Sequence, residues 1–127
     1  LIELSGESEI ALNVDMELQA SDIGEELEKF QELMTPVGQG FRQIQYAVRK
    51  ARIVDAKIIG KNAEHLKVLL AVGNQKWPAI YWSSADRFQR DFTVNSAVDC
   101  VFTLERNYFA NNSVLQLTIL DIQNHEA

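Results

Sequence analysis

The residue types that could carry covalent chemistry are few in this chain and do not converge. Its two histidines, His65 and His125, stand far apart, and His125 falls in a terminal stretch expected to fray. Its one cysteine, Cys100, alternates with Val98 and Phe102, a spacing that marks a small buried hydrophobe rather than a nucleophile. Asp86 and Asp91 lie in a polar segment where carboxylates are expected to be solvated. Metal-dependent hydrolysis needs several carboxylates or histidines gathered on one or two ions, and the spacing offers no such set. Gly38-Gln39-Gly40 alone does not make a phosphate-cradling glycine loop. The chain on its own is therefore expected to be neither an enzyme nor the holder of a metal or cofactor.

A binding surface is better supported. Single-stranded nucleic acid is held by cations along its backbone and by aromatic rings stacked on its bases. Between positions 42 and 67 the chain carries seven bases (Arg42, Arg49, Lys50, Arg52, Lys57, Lys61 and Lys67) against Asp55 and Glu64, a local balance of +5. Tyr46 accompanies them, and Tyr108 and Phe109 flank a turn; these ten residues form the candidate nucleic-acid-binding set. Tyr81 and Trp82 are further stacking candidates. The plain alternatives are a solvated mixed-charge strand face for the bases and core packing for the rings, the latter expected for Trp77 and Phe102. In a regular strand Arg49 and Lys50 point to opposite faces, so only a bulge lets both meet one ligand.

The elements that must position these residues follow from periodicity. Ser21 is expected to cap a helix over 22–34, with Asp22, Glu25 and Glu26 suiting its positive end and Ile23, Leu27, Phe30 and Met34 forming its packing stripe. A short strand is expected at 10–14, and Pro36 stops the helix. From Phe41 the pattern is that of strands: 42–59, 64–72, 76–82, a fourth from 97, and 114–122. Leu66, Val68, Leu70 and Val72 should face one core, as should Val98, Cys100, Phe102 and Leu104, and then Leu115, Leu117 and Ile119. Residues 84–90 should make a short helical turn with Asp86 and Arg87 exposed. Residues 110–113 should make a hairpin turn with a positive φ at an Asn. Five strands in this span suggest a closed or nearly closed barrel, which removes exposed sheet edges.

Size and charge fit that picture. A chain of 127 residues suits one domain that needs no staple. A single cysteine rules out an internal disulfide and is compatible with the cytoplasm. No apolar run approaches the ~20 residues that span a bilayer. The formal charge of −6 is uneven: residues 1–35 carry ten acids and one base, a balance of −9, while the remainder carries eleven bases and eight acids, a balance of +3. A first residue of Leu1 rather than Met reads as a piece of a longer protein.

A resemblance sharpens these expectations. Glu64-His65-Leu66-Lys67-Val68-Leu69-Leu70 is similar to a strand in the C-terminal oligonucleotide-binding domain of the RecJ family of single-strand-specific DNA exonucleases. The run Ala97 to Asn112, followed by Leu115-Gln116-Leu117-Thr118-Ile119-Leu120-Asp121-Ile122, resembles that domain's last hairpin. Asp15-Met16-Glu17-Leu18, the acidic helix and Pro36-Val37-Gly38-Gln39-Gly40 resemble the linker entering it. The family continues from Gly-Gln-Gly into Asn-Pro-Glu-Pro, where this chain has Phe41-Arg42-Gln43-Ile44. The resemblance implies a mainly β, five-stranded OB-like barrel over 41–127, preceded by an acidic leader and helix over 1–40. It implies a single-stranded DNA-binding accessory domain of a 5′→3′ exonuclease acting in repair and recombination. Manganese or magnesium would then be bound by catalytic domains outside this chain. Partners would be single-stranded DNA, the catalytic domains of the same polypeptide and a single-strand-binding protein. The alternative is a packing module that docks on those domains or on that protein with little contact to DNA.

Overall fold

The computed structural model describes residues 14–34 and 43–125, with the side chains of Ala20 and Phe109 outside that set. Residues 10–13, Pro36 and the Gly38-Gln39-Gly40 turn lie outside it too. The strands are β1 (Met16–Leu18), β2 (Tyr46–Ile59), β3 (His65–Val72), β4 (Gln75–Tyr81), β5 (Ala97–Phe109) and β6 (Asn112–Asn124). One helix, α1 (Glu25–Met34), precedes β2. β2 pairs with β3 on one edge and with β5 on the other, which closes the ring β2-β3-β4-β6-β5. In that ring β4 and β6 run parallel and every other pair is antiparallel. The expected five-stranded OB-like barrel is thus the observed fold. β1 adds a short parallel strand on the first residues of β2.

Period-two alternation fills the barrel. Leu66, Val68, Leu70 and Val72 are all at most 2% exposed, as are Val98, Cys100, Phe102 and Leu104. Leu115, Leu117, Ile119 and Ile122 complete the lining from β6. Each such side chain contributes roughly 1.5–3 kcal/mol by leaving water. Cys100 is buried as expected, and burial pushes its thiol above the ordinary range.

Two irregularities let β2 serve two neighbours. Its register against β5 shifts between Val48 and Ala51, and its register against β3 shifts between Ile53 and Asp55. At the first, Lys50 adopts φ 64° and its N–H donates to the Asp99 carboxylate at 3.1 Å. Each inserted residue reverses which side chains face inward. Tyr46 and Val48 point in, then Ala51 and Ile53. Beyond the second shift Ala56 pairs with inward Val68 and Ile58 with inward Leu66.

Both ends of the barrel are covered. From one end, Leu18, Ile23 and Leu27 enter the same core as Tyr46 and Phe102. The helix begins later than expected: Ser21 lies within a 3-10 turn over Ala20–Asp22, and Gly24 accepts the first helical bond from Glu28. The apolar stripe is also shorter. Phe30 and Met34 are exposed, and Gln31 takes the inward place one turn after Leu27. Its amide donates to the Leu104 carbonyl and its Oε1 accepts from the Tyr46 hydroxyl. Arg106 completes the dock with two bonds, 2.7 and 2.8 Å, to the Glu28 carboxylate.

The segment between β4 and β5 covers other strand ends, with Phe92 buried and Phe88 and Val94 packed beside it. Arg87, expected to be exposed, ties this segment down. Its guanidinium donates to Asp91, to the Tyr81 hydroxyl, to Asp121 and to the Ile122 carbonyl, all within 2.9 Å. Asp91 is therefore not simply solvated. His125, expected to fray, donates its backbone N–H to Ala97 and sets Nδ1 2.8 Å from Asp99. In the β5–β6 hairpin the positive φ falls on Ala110, at 53°, rather than on an Asn.

Candidate nucleic-acid interface

The outer face of β2, β3 and β4 carries the cations. Residues paired across antiparallel strands share a face, so the registers define rows. Arg52, Ala71 and Lys76 form the first row, and Asp55, Leu69 and Pro78 the second. Lys57, Lys67 and Ile80 form the third. A fourth begins with Ile59 and His65, and the Trp82 ring meets His65 edge-on at 4.9 Å. Successive rows lie ~7 Å apart along a strand. Lys61 stands exposed in the turn next to the fourth row.

Arg52, Lys57, Lys67 and Lys76 are exposed, and no ion pair is formed to them among the described residues. Lys57 and Lys67 sit directly opposite each other. A shallow depression of about 220 Å³ opens beside them, walled by Asp55, Leu69 and Pro78. Trp82 is 54% exposed, which leaves ring surface open to a ligand. This face is a shallow basic track with an apolar middle and an aromatic end. Asp55 and Glu64 are its acidic neighbours.

The structure gathers only part of the expected set. Arg52, Lys57, Lys61 and Lys67 come together; Lys76 joins them, a residue that the sequence reading missed because it lies beyond the 42–67 cluster. Tyr46 is corrected: it is fully buried against Phe102, with ring centroids 5.8 Å apart, and cannot stack on a base. Burial, with Asp15 nearby, pushes its hydroxyl up to about 12. Tyr81 is likewise a core ring, bonded through its hydroxyl to Arg87. Arg49 is half-buried and pairs with Glu17 of β1 at 3.1 Å. Lys50 is exposed but belongs to the bulge opposite Asp99, away from the β3 edge. Tyr108 is 76% exposed, but it lies at the tip of the β5–β6 hairpin, beyond the Arg106–Glu28 pair. Arg42 and the side chain of Phe109 lie outside the described residues. Trp77 is half-buried against the core.

No three His, Cys, Asp or Glu side chains among the described residues stand together in a way that could hold a metal ion. No helix among them is long and apolar enough to cross a membrane.

Comparisons with known proteins bear on the barrel and its family. No curated protein matches the chain. Among solved structures, it is similar to RecJ in complex with Mn2+ from Thermus thermophilus, with a TM-score of 0.57 and 17% identity. That match covers 81% of this chain and 14% of the Thermus chain. It is also similar to an aspartyl tRNA synthetase from Entamoeba histolytica, with a TM-score of 0.51 and 10% identity, over 98% of this chain and 27% of that one. At such identities both likenesses speak for the barrel alone. The family model of the RecJ OB domain matches residues 14–121, from the strand before α1 to the last strand of the barrel. The chain belongs to the RecJ OB domain family.

Proposed function

We propose that the chain is a single-stranded DNA-binding accessory domain of a RecJ-like 5′→3′ exonuclease, steering the strand toward a catalytic site elsewhere in the polypeptide. The observation that carries this reading is Lys57 facing Lys67 on the outside of a RecJ OB barrel. Like charges directly opposite on neighbouring strands destabilise a sheet. A phosphodiester lying between them removes that repulsion, and the nucleic acid releases the counterions condensed on it. Arg52 and Lys76 offer a second grip about two rows away. Leu69 and Pro78 give the bases an apolar floor, and Trp82 gives them a ring. Such contacts tolerate any base, as an exonuclease that passes along a strand requires. On this reading the manganese- or magnesium-dependent hydrolysis, in the cytoplasm and in the service of repair and recombination, belongs to the whole protein.

The test is a fluorescence-anisotropy titration of labelled oligo(dT) at several salt concentrations. The slope of log affinity against log salt should be ~0.7 per phosphate neutralised. A Lys57→Glu/Lys67→Glu chain should lose about two such contacts, making the slope shallower by ~1.4. Unchanged affinity and slope in a variant that keeps its circular dichroism would remove the assignment. Labelled oligo(dT) incubated with the chain and Mn2+ should stay intact, and shortening products would place catalysis in the chain itself.

A further inference from the structure

We infer that the outer surface of α1 and the groove between α1 and β1 are a docking site for the catalytic part of the same polypeptide, through a segment that is both basic and apolar. The inference rests on reading the chain as one module of a longer RecJ-type protein, and not on nucleic-acid binding by the barrel. The similar Thermus RecJ is about seven times longer than the portion this chain matches, so a protein of that kind has ample surface to cover α1.

Three observations favour such an occupant. Leu33 is 86% exposed, Met34 60% and Phe30 37%, and as i, i+3 and i+4 neighbours they form one continuous patch. The other exposed large apolar side chains among the described residues, Ile58, Trp82, Tyr108 and Val114, include no pair three or four positions apart, and contiguous apolar patches mark interaction surfaces. Phe30 also borders a cavity of about 400 Å³ whose floor includes Met16, Ile23 and Leu27, so the patch continues into a concave seat. Its rim carries Glu17, Asp22, Glu25 and Glu26; among the described residues Arg49 pairs with Glu17 and Arg106 with Glu25. An apolar seat with an acidic rim fits Leu-, Ile- or Phe-type side chains flanked by Lys or Arg. Covalent linkage to the rest of the polypeptide makes docking intramolecular, so a small surface suffices.

The experiment uses the complete polypeptide with a photoreactive benzophenone amino acid in place of Leu33. Irradiation should give an intramolecular cross-link, mapped by mass spectrometry to a segment outside these 127 residues that carries Lys or Arg beside apolar residues. Raising salt from about 0.1 M to about 1 M shortens the screening length from ~10 to ~3 Å and should cut the yield by half or more. Glu25→Lys/Glu26→Lys should do the same at low salt. A cross-link confined to these residues, one joining two copies, one to an acidic segment, or none would overturn the inference. Oligo(dT) affinity of a Leu33→Glu variant of the 127-residue chain, measured in parallel, reports on the barrel face without the catalytic part and should not change. It separates a failure of docking from a failure of DNA binding.

Discussion

Tyr46 and Trp82 show how much rests on where a single ring points. Both are aromatic residues beside basic ones, and composition alone treats them alike. Tyr46 is a core residue whose hydroxyl donates to Gln31 at 2.9 Å. Tyr46→Phe should therefore lower stability by ~1 kcal/mol, the usual net worth of such a bond, and leave oligo(dT) binding untouched. Urea unfolding with a parallel titration checks both; a loss of binding at constant stability would return Tyr46 to the interface. Trp82 is the opposite case. Its ring is held against His65 yet more than half open. Trp82→Ala should cost ~1–3 kcal/mol of binding if one base stacks there, with little change in unfolding. A variant that binds as well as the parent chain would make the ring a mere packing partner of His65.

At the scale of elements, alternation explains why so much of the barrel could be read in advance. In β3, β5 and the first half of β6 the inward residues follow strict period two, and Leu66 to Val72 and Val98 to Leu104 needed no structure to be assigned. β2 is different. Counting alternately from buried Tyr46 would send Lys50 and Arg52 into the core. The bulge at Arg49–Lys50 turns Arg52 outward, and the second irregularity at Val54 keeps Lys57 outward. Nothing in the residue types announces either site, because bulges are set by closure of the barrel rather than by local preference. The extent of the α1 stripe was hidden for a similar reason: Gln31 satisfies partners on strands remote in sequence.

Two predictions belong to these elements. Ala110 occupies the left-handed region at φ 53°, where a side chain with a Cβ is strained. Ala110→Gly should raise stability by roughly 0.5–1 kcal/mol, after allowing for the greater freedom of glycine when unfolded. A lower denaturation midpoint would mean that the turn does not need that conformation. The dock of α1 is sensitive to acid. The side-chain hydrogen bond from Arg106 holds the Glu28 carboxyl below its ordinary value of 4.5. A depressed folded value means the pair contributes fully above the unfolded value and is lost as pH falls through the folded one. The stability gap between the natural chain and Glu28→Gln should therefore be full above about 4.5 and close as pH falls through the depressed folded value. A gap independent of pH would show that Glu28 acts by packing alone.

At the scale of the molecule, the formal charge of −6 conceals two surfaces of opposite character. The acids gather along α1 and its approach, and the bases gather on the outer wall of β2, β3 and β4. α1 packs on the core beside Tyr46, at the start of β2, whereas the cation rows begin at Arg52, farther along that strand. The division into an acidic beginning and a basic remainder was legible in the sequence. The membership of the basic wall was not, since Lys76 and Trp82 reach it only through β4. The central question is whether a single strand lies on that wall. The direct measurement is an amide and indole chemical-shift titration of the labelled chain with oligo(dT). Shifts should concentrate at Arg52, Lys57, Lys67, Leu69, Lys76 and the Trp82 indole, with α1 silent. Shifts centred on α1 or on the Tyr108 hairpin, or no shifts at concentrations that saturate binding, would contradict that placement.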